Sequence, residues 1–139
     1  MLQHKTRYGM TRTVPLRYEE ALTRTREALA GEGFGVLTEI DVTATLRKKL
    51  GVEFRPYIIL GACNPPLAHR ALEAELEIGL LLPCNVVVFA SEDPADTVVA
   101  VLDPVEALSL SGSPAVQAVA EEVRTRLSRV LEKVADRPG

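Results

Sequence analysis

At 139 residues the chain suits one domain, taken as 1–139, and is long enough to bury a core without disulfides or metals. Hydrophobic residues make up 47% and charged residues 25%, which excludes a disordered chain. A net charge of −3 excludes general nucleic-acid binding, which needs a basic surface to displace counterions.

The charge is uneven. Residues 1–60 carry ten Lys/Arg against seven Asp/Glu, and residues 61–139 carry six against twelve. The basic cluster Arg47, Lys48, Lys49 and Arg55 reads as a solvated helix end. The start, "MLQHKTRYGM", lacks the apolar stretch of a secretory signal, and no run reaches the ~18–20 apolar residues of a membrane span. A cytoplasmic protein without a membrane partner is expected, its two cysteines being thiols. Arg outnumbers Lys twelve to four, a composition leaning toward a heat-tolerant source.

The segment 8–15, "YGMTRTVP", alternates Tyr8, Met10 and Val14 with Thr11 and Thr13, which predicts a half-buried strand ended by Pro15. Residues 17–33 place Tyr18, Ala21, Leu22, Thr25, Ala28 and Leu29 at helical spacing, with Gly31 or Gly33 as the stop. "FGVLTEIDV" (34–42) alternates again, with Phe34, Val36 and Ile40 in register. Asp41 is the expected N-cap of a short helix that Gly51 closes.

"PYIILGAC" (56–63) and "NVVVFA" (85–90) are apolar on both faces, as central strands covered on two sides are. A helix from Leu67 to Ile78 lies between them. "SEDPAD" (91–96) is a turn, and "TVVAVLD" (97–103) completes a hairpin. Residues 104–112 read as a loop. Ser113 caps the last helix, Pro114 takes its first position, and Val116, Val119, Val123, Leu127, Val130, Leu131 and Val134 form its apolar stripe. Residues 1–7 and 136–139 are expected to fray.

The order β-α-β-α-β-α-β-β-α predicts an α+β fold: a largely antiparallel five-stranded sheet with helices mainly on one face. Helices on one face leave two-sided apolar strands uncovered on the other, and a second copy of the chain is the expected cover, making a homodimer.

The stretch "GFGVLTEIDVTATLRKKLGVEFRPYIILGACNPPLAHRAL", followed by "GLLLPCNVVVF", resembles the bacterial family known as domain of unknown function 302. The resemblance rests on Gly-Phe before the second strand, Asn-Pro after the third and Leu-Pro before the fourth. It implies a small α+β fold of TATA-box-binding-protein-like architecture. It implies no DNA binding, since fold does not carry function, and it supplies no activity or catalytic residues.

Both cysteines fall in this stretch, as C-N-P-P and L-P-C-N. Cys63 ends a strand, Asn64 can cap the next helix, and Pro65 and Pro66 suit its first turn. A helix N-terminus favours a thiolate, which makes Cys63 a candidate reactive group; the plainer reading is a small residue buried at a strand end. Cys84, between "LLLP" and "VVVF", sits in apolar surroundings that make a thiol inert.

A crossover helix would make the two flanking strands parallel and put the thiols at opposite ends. A helix lying across the sheet would make them antiparallel and the thiols close. The crossover is the commoner strand–helix–strand unit and is the expected arrangement.

His69 with Cys63 and Cys84 would make a Cys₂His metal set, but no close ligand pair supports it. His69 falls on a polar helical arc beside Glu73, as an i,i+4 pair. Glu75 falls between two apolar arcs of the same helix and there needs an arginine partner such as Arg55, or a raised pKa.

No Gly-rich phosphate loop, G-x-S-x-G elbow or H-E-x-x-H is present, and no cofactor is expected. The leading expectation is a non-catalytic homodimer that binds a small ligand or a partner protein. A thiol-dependent redox or metal-linked module on Cys63 stands second, and an enzyme using Glu75 with an arginine third.

Overall fold

A computed structural model describes residues 6–135. Of the terminal segments expected to fray, 1–5 and 136–139 lie outside the described residues. The strands are β1 (Gly9–Val14), β2 (Gly35–Asp41), β3 (Tyr57–Cys63), β4 (Cys84–Ala90) and β5 (Thr97–Leu102). The helices are α1 (Tyr18–Gly31), α2 (Val42–Leu50), α3 (Pro65–Ala74), α4 (Pro104–Leu108) and α5 (Pro114–Ala135). The strands form one sheet in the order β1-β5-β4-β3-β2, every pair antiparallel, which is the expected α+β architecture.

Alternation sorts the sheet into two faces. Met10, Val14, Leu60, Val86, Val88, Val99 and Val101 point into one core with α1 and α5, and each is essentially inaccessible. The apolar stripe expected of α5 is buried throughout, with Ala120 added, while α3 and α4 pack on α5. Tyr8, expected beside Met10, lies before β1 and is 64% exposed.

The opposite face carries the register-matched rows Thr13, Val98, Phe89, Tyr57 and Thr11, Ala100, Val87, Ile59, Ile40. A third row holds Gly9, Leu102, Asn85, Gly61 and Thr38, so this open face bears no charged strand residue. Tyr57 and Phe89 stack at 5.1 Å between ring centroids, and Phe54 adds an exposed ring beside Tyr57.

Local chemistry sets the element ends. The Asp41 carboxylate accepts from Ala44 N–H at 2.9 Å, and Gly51 closes α2 at φ 66°, both as expected. Ser113 Oγ likewise accepts from Val116 N–H at the start of α5. Two expectations fail. A β-bulge between Val36 and Thr38 breaks the alternation of β2, so Phe34 and Val36 face the helices while Ile40 faces out and is 49% exposed. Residues 104–112, expected as a loop, hold α4 and a 3₁₀ turn: the Asp103 carboxylate accepts from Val105 N–H at 3.0 Å, and Pro104 is pre-set for the first helical position.

Glu32 fastens α1 to α5. Its carboxylate accepts from Arg129 at 2.9 Å and Lys133 at 2.8 Å, and its carbonyl accepts from Arg126 at 3.0 Å. The Arg129 and Lys133 hydrogen bonds hold the Glu32 carboxyl down at about 2. A pKa lowered on folding stabilises the fold above the unfolded value near 4.5, and that contribution is lost as pH falls toward about 2. Both cations are half-exposed, so screening limits the effect to about 1 kcal/mol. Acid unfolding followed by circular dichroism should show this loss between pH 4.5 and 2, and Glu32→Gln should remove that part of the profile; an unchanged profile would contradict the clamp.

Candidate functional site

β3 and β4 pair antiparallel, with Ala62 opposite Cys84. The expected crossover is therefore wrong, and Cys63 and Cys84 lie at the same end of the sheet. The helix between them is shorter than its periodicity predicts. α3 stops at Ala74 because Glu75 takes an extended backbone (φ −154°, ψ 107°). Ten helical residues rise only ~15 Å. The 3₁₀ turn Leu76–Leu81, extended Leu82 and the cis Leu82–Pro83 peptide then return the chain to the sheet end that it left.

The return encloses a cavity of about 350 Å³ between the sheet end, α3 and α5. β3 and β4 supply Ala62, Cys63 and Cys84. α3 supplies Leu67, Ala68, Ala71 and Leu72; the returning chain supplies Gly79, Leu82 and Pro83; α4 and α5 supply Pro104, Leu108, Val119 and Val123. Phe34, Leu37 and Thr38 of the β2 segment complete the wall with Asn64, and no lining side chain is charged. The bulge in β2 is what turns Leu37 and Thr38 toward it.

The polar groups here are few and mostly occupied. Asn64 caps α3 as expected, its Oδ1 accepting from Leu67 N–H at 3.3 Å. Pro65 and Pro66 have no N–H to offer, and Ala68 N–H is bound to the Asn64 carbonyl. The first turn of α3 thus presents no free donor to a thiolate, and what remains of the dipole is outweighed by desolvation. Burial pushes the Cys63 thiol up, against the direction that the helix end alone would give. Burial, with Cys63 nearby, pushes the Cys84 thiol up to about 11. In native protein at pH 7, iodoacetamide should modify half-buried Cys63 more slowly than a free thiol, and Cys84 only after unfolding. Peptide mass mapping reads this, and rapid Cys84 labelling would contradict it.

The other candidates lie elsewhere. The His69 side chain is 73% exposed and pairs with Glu73 at 3.5 Å, as its i,i+4 spacing predicts. It does not line the cavity, and no group of three or more metal-binding side chains occurs among the described residues. Glu75 is not a helix-interior carboxylate; it is the half-buried residue that ends α3, beside a shallow groove with Ile78, Leu80 and Leu110. Arg55, its suggested partner, donates instead to the Ala90 carbonyl at 3.1 Å. Sequence reasoning missed Leu37, Thr38, Pro104, Leu108, Val119 and Val123 as cavity residues, and only the Asp103–Pro104 cap signal pointed to any of them.

The fold and cavity define a small α+β protein with an antiparallel sheet, one helical layer and a partly open apolar site at one sheet end. The chain belongs to the family described as Domain of unknown function DUF302, whose model matches residues 10–134. Among solved structures it is similar to the "uncharacterized conserved protein DUF302 from Bacillus stearothermophilus", at 32% identity and a TM-score of 0.84. That match covers 92% of this chain and 98% of the other. No curated protein matches.

Proposed function

We propose that the chain binds a small, largely apolar molecule in the cavity at the Cys63–Cys84 end and does no chemistry on it. The observation that carries this reading is an uncharged site of about 350 Å³, within the size range of small-molecule sites, with few polar groups to orient a reaction. A buried apolar wall rewards an apolar ligand by the area that it removes from water. Nile red, an uncharged apolar dye, should bind with enhanced fluorescence. Ala68→Phe, at a half-buried α3 position on the cavity wall, should weaken that binding at least tenfold. Dye affinity unaffected by Ala68→Phe would overturn the reading, and native mass spectrometry of protein from cell extract would identify a retained ligand.

A second element of the proposal is a homodimer formed through the open sheet face. It rests on that face having no charged strand residue while Ile40, Phe54 and the half-buried Tyr57, Ile59, Val87 and Phe89 remain accessible. Light scattering should give a dimer mass, and Val87→Asp should give a folded monomer; a monomer mass for the unaltered chain would remove it. Among the described residues no helix is long and apolar enough to cross a membrane. We place the protein in the cytoplasm, where both thiols stay reduced.

A further inference from the structure

We propose that the basic arm between β2 and β3, residues 42–56, docks on the acidic groove beyond α3 of a second copy of the chain, and the reverse, so that the homodimer closes through two arm–groove contacts. The inference rests on the homodimer assigned above and names the surfaces that lock it.

The arm is held in shape but left uncovered. α2 buries no residue, and all of residues 47–56 are exposed, Leu50, Val52 and Phe54 among them. Local bonds fix it all the same. Thr43 Oγ1 donates to the Arg55 carbonyl at 2.7 Å and accepts from Tyr57 N–H at 2.9 Å, and Arg47 pairs with Glu53 at 3.2 Å. A pre-shaped apolar edge facing water marks an interaction surface. Lys48 and Lys49 stand on it without an ion-pair partner among the described residues.

The groove has the opposite character. Residues 71–123 hold ten Asp/Glu and no Lys or Arg. Past the end of α3, Glu75, Glu77, Ile78, Leu80, Leu81 and Leu110 line a depression of about 250 Å³, where Leu80 and Leu110 are exposed. Neither glutamate has an ion-pair partner among the described residues. Apolar groups rimmed by carboxylates thus match an apolar edge that carries lysines.

The sheet keeps each arm from its own groove. The arm joins Asp41 to Tyr57 at one end of the sheet, whereas the groove segment leads into Cys84 at the other. Strands of this length separate the two ends by roughly 20 Å. A two-fold axis crossing the strands brings the arm end of each copy to the groove end of its partner, and both contacts form at once. The opposite orientation sets arm on arm and opposes like charges.

Unlabelled and isotopically heavy full-length chains, mixed in urea and refolded together, are treated with a carbodiimide that joins amines directly to carboxylates. Peptide mass mapping should find Lys48 or Lys49 joined to Glu75 or Glu77 in pairs of one light and one heavy peptide. Lys48→Glu with Lys49→Glu should weaken the dimer about tenfold, and adding Glu75→Lys with Glu77→Lys should restore it. The cross-link is read on the unaltered chain and does not depend on whether the variants fold. A dimer mass without mixed pairs would overturn the inference and leave the homodimer standing. A mass that climbs past the dimer with concentration would overturn the closed arrangement, and a monomer mass would end both readings.

Discussion

Leu127→Ala is expected to lower the unfolding free energy by about 2–5 kcal/mol, the range for a fully buried leucine whose site cannot collapse. Leu127 has no accessible surface and sits midway along α5, with Val123 and Leu131 one turn away on either side, both buried. α5 is the element on which α1, α3 and α4 all pack, so its neighbours hold it from several directions and the void stays open. Small domains are stable by only about 5–15 kcal/mol, so the loss would be a large fraction of the total. Leu110→Ala is the control: Leu110 is 83% exposed, and its change should stay within about 0.5 kcal/mol. Urea unfolding measures both. A Leu127→Ala loss below about 1 kcal/mol would mean that α5 is not the centre of the core.

Gly61→Ala should destabilise by about 1–3 kcal/mol, although a glycine in a strand interior is by itself unfavourable by about 0.5–1 kcal/mol. The second effect favours the substitution, and crowding decides against it. A Cβ at Gly61 would stand 2.1 Å from Thr38 Oγ1 and 3.0 Å from Pro83 Cγ. Thr38 can answer by rotating its side chain. Pro83 is a closed ring on the cavity wall, with no side-chain rotation to move it aside, and yields less readily. Thr38→Ala removes the nearer atom, so Gly61→Ala should cost less in that background. Equal costs in the two backgrounds would show that Thr38 does not set the limit. Because Thr38 and Pro83 both line the cavity, the same substitution should weaken Nile red binding while the thiols remain in place.

The legible parts of the sequence were those whose signals are local. The stripe of α5, the Asp41 and Ser113 caps, the Gly51 stop and the apolar runs of β3 and β4 each depend on residues within a turn or a strand of one another, and each is found where expected. What was illegible depends on a choice that local pattern does not encode. The apolar period continues through Leu72, Leu76 and Ile78, so it gave no warning that the helix would end at Ala74. That one stop decides whether β4 runs parallel or antiparallel to β3, and hence whether the two cysteines fall at one end of the sheet. The bulge in β2 escaped for a similar reason: Val36 and Ile40 keep an even spacing, and only pairing against β3 reveals the extra residue. At Cys63 the dipole argument for a thiolate loses to the plainer reading of a small residue at a strand end, because the prolines remove donors that would have met a thiolate and burial opposes the charge.

The bulge also guards an edge. β2 and β1 are the two outer strands, each with a row of backbone groups that another strand could join. On β2 the bulge bends the row, and Glu39 turns inward to pair with Arg26 of α1. On β1 the row carries Arg12 and is cut short by Pro15. Both ends of the sheet thus resist strand addition, the route by which sheets grow into fibres without limit. Association directed instead through the flat face would be self-limiting, because two copies meeting there cover each other's surface and leave no further copy a place to add.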